Sequence, residues 1–279
     1  MIDIRATDKV RPHYPRAIKA SYLMNAVLQF TKATLGIGEE RIAFLTSVCS
    51  DDLNSVGLPD TEMVGPFLLG GLDGYPFAGK TGLGAFSHHL PDRGAAMMFF
   101  GPHVGVSHTG LVGSVIRPGQ TTPTACCGAA ALGLRRLEAG EITPKDPSGF
   151  AEDDYQQEKL EQLILRHRDD ILGAGPPGDP RRFIRMSELL YCEMKQAMMH
   201  LLASTQFEAP TFVFGGILIN EDDGEGSSIA LRDAGSVDHG KYVDLTKEFI
   251  EMTEPKFVAV HGLIRPRPDD TTGKDERGG

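Results

Sequence analysis

The sequence predicts one α/β domain with a mostly parallel central sheet flanked by helices. Three observations carry that prediction. Continuous apolar runs of strand length occur at 41–49, 95–102 and 207–220, and unbroken runs suit parallel strands buried on both faces. Helical patterns at 15–36, 153–173 and 182–204 alternate with those runs, the order from which parallel sheets are built. No internal repeat and no linker divides the 279 residues, 41% of which are hydrophobic, enough for a sizeable core.

Taken in order, Ile18, Tyr22, Ala26, Leu28 and Phe30 lie close to helical spacing, and Gly36 suits a helix stop. RIAFLTSVC (41–49) reads as a buried strand with Cys49, Ser50, Asp51 and Asp52 at its end. Residues 65–84 hold so many glycines that turns and close backbone approach are expected there, not a helix or strand. AAMMFFGP (95–102) is the second strand and delivers His103 at its exit. A hairpin turning near His108–Gly110 follows. The helix CCGAAALGLRRLEAG then carries the cysteine pair in its first turn. GAGPPGDP separates the next two helices. FEAPTFVFGGILIN (207–220) is the third strand and KFVAVHGLI (256–264) a fourth, with a short helix in KYVDLTKEFIEMT between them. The domain is expected to span 1–265, and the polar stretch 266–279 to be a disordered tail.

A net charge of −10 argues against nucleic-acid binding, and Lys/Arg runs never exceed a pair. The first residues carry charge throughout, with no apolar signal region, and no stretch approaches the ~20 apolar residues of a membrane span. A soluble, cytoplasmic protein is expected. Four cysteines in so long a chain do not make a disulfide framework. Cys192, on a helical apolar pattern, reads as a small buried hydrophobe.

The other cysteines stand differently. Cys49 and His103 each follow a buried run, where open α/β sheets bind ligands. Cys126 and Cys127 open a helix, where the dipole favours a thiolate. Two thiolates and an imidazole converging from separate elements suit zinc and leave a fourth tetrahedral position for chemistry. The competing reading is of small buried residues and a structural histidine, and dispersed spacing does not decide between them.

Cys-x-Asp after the first strand, a histidine after a later strand, and Cys-Gly opening a helix resemble the β-type carbonic anhydrases. More closely, VCSDD, GGLDGYPFAGKTG, SHHLPD, GPHVGV, LVGSVIRPGQ and ACCGAA resemble the limiting-CO2-inducible protein B family, some of whose members are described as θ-type carbonic anhydrases. The motifs fall in family order over residues 15–265. The resemblance implies a β-carbonic-anhydrase-like fold, a homodimer, and zinc held by Cys49, His103 and Cys127. Cys127 is chosen over Cys126 because it precedes glycine, as the matching β-type ligand does. The implied reaction is reversible hydration of CO2 to bicarbonate by zinc-activated water, with Asp51 orienting the nucleophile, His88 or His89 shuttling the proton, and Phe77 or Phe86 walling an apolar pocket. One departure stands out. β-type enzymes continue Cys-x-Asp-x-Arg, and the matching position here is Leu53. Arg93 or Arg117 must then restrain Asp51, or Asp51 closes the site.

Two rivals remain. A metal-free thiol enzyme would use Cys127 as nucleophile with His103 or His88 as base. A non-catalytic, zinc-stabilised relative is kept alive by Leu53. The deaminase signature HxE with PCxxC and the HExxH metalloprotease motif are both absent.

Overall fold

In the computed structural model, which describes residues 4–58, 60–205, 209–222, 226–238 and 241–257, strands alternate with helices as expected. The elements run β1 (Ile18–Lys19), α1 (Ala20–Leu35), β2 (Ile42–Ser47), β3 (Val64–Leu68), α2 (Gly79–Ser87), β4 (Ala95–Phe100), β5 (His103–Val106), β6 (Ser114–Val115), β7 (Thr124–Ala125), α3 (Gly128–Ala139), α4 (Tyr155–Arg166), α5 (Arg168–Gly173), α6 (Pro180–Ser204), β8 (Thr211–Glu221), β9 (Ser227–Asp238), β10 (Lys241–Asp244) and α7 (Thr246–Phe257).

The central sheet runs in the order β1-β9-β8-β4-β2-β3, with β5 also on β8 and β10 on β9. β3, β2, β4, β5 and β8 pair in parallel, while β9 turns back against β8 and carries β1 and β10 antiparallel beyond it. Side chains alternate between the two sheet faces, as a period of two requires. Phe44, Met97, Phe99 and Phe214 pack under α1 and α7. Leu45, Met98, Phe100 and Val213 pack under α2, α3, α4 and α6. Both layers are apolar, so the sheet is covered on both sides.

Several expectations need correction. Residues 65–84 include β3 and α2, not turns alone. Leu83 and Phe86 are buried and anchor α2 against the core despite its glycines. The run at 95–102 breaks at Gly101–Pro102, and His103 begins β5, which continues along β8 where β4 leaves it. The cysteine pair precedes α3, with Cys127 as its N-cap residue. β9 was not anticipated, because SSIALRDAGSVD mixes polar and apolar residues. Residues 256–257 close α7; the rest of the strand expected at 256–264, and the tail at 266–279, lie outside the described residues. Cys192 is exposed on α6, not buried. Elsewhere Gly36 does end α1, in the left-handed conformation.

Candidate metal centre

Parallel pairing places the carboxyl ends of β2, β4 and β8 at one edge of the sheet, and every element of the site is delivered there. Cys49 lies just past β2, His103 opens β5, and Asn220 sits near the end of β8. Cys127 arrives from the other direction, at the start of α3.

Two glycines let the backbones come close enough. A Cβ on Gly70 would stand 2.1 Å from the Val48 carbonyl oxygen, so only glycine fits beside the strand exit that carries Cys49. Gly74, at φ +89°, faces the Gly101 carbonyl in the same way, where a Cβ would lie 2.3 Å away. The glycine-rich segment therefore wraps the buried end of the site.

The ligand-type atoms of Cys49, His103 and Cys127 lie within 4.8 Å of one another, and all three residues are buried. Cys49 Sγ and Cys127 Sγ are 4.0 Å apart. His103 Nδ1 is 2.8 Å from Asn220 Oδ1, while Nε2 is buried with no hydrogen-bond partner among the described residues. A buried polar atom without a partner costs ~1–3 kcal/mol. An imidazole with an orphan nitrogen, clustered with two thiols, is what a soft divalent cation would satisfy. The set fits zinc. A second group, Asp51, His103 and Cys126, falls within the same distance limit. Cys126, however, lies 3.6 Å from His103 Nδ1, the nitrogen already engaged, and its thiol points to Asn220 Oδ1 at 3.5 Å.

The electrostatics of these groups are strongly skewed. Cys49 is pulled down to about 4, first by its hydrogen bond to Cys127 and also by His103, against the effect of burial. The backbone N–H of Asp73 adds a contact at 3.1 Å to Cys49 Sγ. Cys127 is pushed well above the usual thiol range, first by Cys49 and then by burial. The helix dipole expected to favour a Cys127 thiolate is thus outweighed by its neighbour. Burial works to lower His103, but Cys126 and Cys49 raise it well above the ordinary imidazole value.

Asp51 stands at the mouth. Its Oδ2 takes a 2.7 Å ion pair from Arg117 Nη2, and its Oδ1 accepts from the Leu53 backbone N–H at 3.1 Å. Arg117 also reaches Asp52 Oδ1 at 3.2 Å and donates to Thr124 Oγ1 at 2.6 Å. Burial, reinforced by the neighbouring Asp52, raises Asp51 above the ordinary carboxylate range, with Arg117 opposing. Cys49 and Asp51 form part of the lining of a cavity of about 430 Å³, walled by Phe44, Val48, Val56, Leu58 and Leu68.

The structure therefore brings together Cys49, His103, Cys127 and Asp51, and adds Arg117. It does not bring Arg93 to them. Arg93 is exposed in the turn before β4, beside Arg41, at the amino ends of the strands. That end is about 20 Å from the cluster at strand rise. His88 is exposed at the end of α2, outside both ligand groups. Phe77 and Phe86 are not among the residues lining the cavity at Cys49. Sequence reasoning missed Asp73, fully buried at φ 53° with Oδ2 unpartnered among the described residues. Burial pushes its carboxyl up to about 7. Asn220 and Asp222 were missed as well.

A sheet of this topology, with two thiols and an imidazole at its carboxyl edge, defines an α/β protein with a candidate metal site. The chain belongs to the limiting CO2-inducible proteins B/C beta carbonic anhydrases, whose family model matches residues 17–250. Among solved structures it resembles PtLCIB4, a homolog of the limiting CO2-inducible protein LCIB. The two are 24% identical with a TM-score of 0.74, over 85% of this chain and 98% of that one. It also resembles LCIB, at 15% identity and a TM-score of 0.63, over 86% and 98% of the two chains. Both likenesses concern the fold. No curated protein matches the chain. No helix among the described residues is long and apolar enough to cross a membrane.

Proposed function

We propose that this protein is a zinc carbonic anhydrase catalysing the reversible hydration of CO2 to bicarbonate. The observation that carries the reading is the buried, unpartnered Nε2 of His103 in a cluster with Cys49 and Cys127. Those three residues would hold the ion. Bound zinc supplies Lewis acidity, lowering the pKa of water from 15.7 to about 7.

The chain's own residues do the rest. Two thiolates leave zinc less electrophilic than three histidines would, so activity is expected to rise on the alkaline side. Asp51, at the mouth, accepts a hydrogen bond from the reacting water and orients it. Arg117 holds Asp51 by its outer oxygen, the part the β-type arginine plays and Leu53 cannot. With both carboxylate oxygens engaged, Asp51 is restrained from taking the fourth ligand position, which disfavours the closed, non-catalytic alternative. The apolar side chains of Val48, Val56 and Leu58 in the cavity beside Cys49 and Asp51 suit a small uncharged substrate. As the family resemblance implies, the protein would act as a homodimer.

Stopped-flow CO2 hydration at pH 7 and 8.5, with Cys49→Ala as control, tests the reading. Turnover that is faster at pH 8.5 and lost in the variant is expected. A fully zinc-loaded protein without activity would rule it out.

A further inference from the structure

The amide of Asn220 meets two parts of the site that are far apart in sequence. Its Oδ1 lies 2.8 Å from His103 Nδ1, and its Nδ2 donates to the Leu53 carbonyl oxygen at 3.0 Å. Asn220 is itself 2% exposed. It comes from β8, which pairs with β5 in the register that sets Leu218 beside His103.

The hydrogen-bond inventory of these groups leaves one consistent arrangement. A carbonyl oxygen only accepts, so the side of Asn220 that faces Leu53 must be the NH2. Its carbonyl oxygen then faces His103 and also only accepts. His103 must in turn carry its proton on Nδ1. In the neutral ring that leaves the lone pair on Nε2, the atom that is buried and has no partner among the described residues. The Cys126 thiol completes the set by pointing to the same Asn220 oxygen at 3.5 Å. This accounts for the adjacent cysteine as a partner of the amide, and leaves Cys127 with Cys49.

We infer that Asn220 is the positioning residue of this centre: it fixes the His103 tautomer that presents Nε2 to a metal, and ties the Cys49–Leu53 loop to the same amide. The inference rests on the metal reading above and adds to it a residue that no sequence motif marks. Groups that hold the second nitrogen of a ligating histidine set its orientation and basicity, and removing them weakens metal binding ~10–100-fold.

The test is zinc affinity by chelator competition on the full chain, for wild type, Asn220→Leu and Asn220→Asp. Leucine is of similar size but cannot accept, and is expected to weaken zinc ~10–100-fold. Aspartate still accepts from Nδ1 but cannot donate to Leu53, and is expected to restore affinity to within about threefold of wild type. A role in packing alone would cost both variants alike, and that result overturns the inference. So does a leucine variant that binds zinc as wild type does. Should Asn220→Leu not fold, nitrogen-proton correlation NMR of the His103 ring in zinc-loaded wild type decides. A proton on Nδ1 supports the assignment, and a proton on Nε2 overturns it. Wild type that takes up no zinc defeats the metal reading itself, a different outcome from zinc that binds regardless of residue 220.

Discussion

Arg117 Nη2 and Asp51 Oδ2 lie 2.7 Å apart, although 65 residues separate them, and both side chains are less than one-fifth exposed. The sequence lacks the usual arginine two positions after this aspartate, and the hairpin after β5 supplies one from outside the loop. Removing the guanidinium would free Asp51 to turn inward. Arg117→Ala is therefore expected to cut CO2 hydration at least tenfold while zinc content stays at one per chain. Loss of zinc instead would make Arg117 a purely structural group.

Asp222, two residues beyond Asn220, keeps that hairpin in place. Its carboxylate accepts from the His108 backbone N–H at 2.6 Å, His108 Nδ1 at 2.7 Å and the Ile116 backbone N–H at 2.6 Å. Burial would raise its pKa, but these bonds hold it below the usual carboxylate range. A depressed carboxylate pKa stabilises the fold above the unfolded value of about 3.9, and the effect is lost as pH falls through the folded value. Asp222→Asn should cost ~1.5–3 kcal/mol in urea unfolding at pH 7. The gap from wild type should narrow as pH falls below the ordinary carboxylate range and through the lowered folded value. A gap independent of pH would contradict the assignment.

Gly70→Ala should disturb fold and site together. The added Cβ would meet the backbone of Val48 and Ser47, not a side-chain end that can swing away. Overpacking of this kind costs ~1–3 kcal/mol or more. Because Cys49 follows Val48, zinc affinity should fall along with the thermal midpoint. An unchanged midpoint would show that β2 and the glycine-rich segment are not in such close contact.

Metal removal should unmask Cys49 selectively. With its pKa drawn down to about 4, first through Cys127, it is a thiolate at pH 6, where an ordinary thiol near 8.5 is almost wholly protonated. Iodoacetamide at pH 6 should leave the zinc-loaded protein largely unlabelled, exposed Cys192 included because burial and then Glu188 raise its thiol, and should label Cys49 after chelation. Peptide mass mapping reads the outcome. Cys49 labelled equally in both states would mean that nothing protects the sulfur.

Much of this architecture was legible in the sequence. Unbroken apolar runs marked β2, β4 and β8 because those strands are buried on both faces. The ends of the first two runs point to Cys49 and His103. β9 escaped notice because it combines Ser227, Arg232 and Asp233 with apolar neighbours. Lys195 and Tyr191 of α6 hold the Asp233 carboxylate, a tertiary arrangement that periodicity does not report. α2 escaped because glycine propensity argues against helix, while Leu83 and Phe86 reach the core regardless. Asn220 and Asp222 end an apolar run and carry no motif. Their roles exist only once β8 is laid beside β5 and the hairpin. Between Arg93 and Arg117, local sequence offered no preference; strand direction did, by sending Arg93 to the far end of the sheet.

The most direct measurement is zinc K-edge X-ray absorption on the purified, zinc-replete chain. Two sulfurs at about 2.3 Å and two nitrogen or oxygen neighbours near 2.0 Å are expected, with one zinc per chain. A shell with three sulfurs, bringing in Cys126, or one without sulfur, would contradict the Cys49–His103–Cys127 centre.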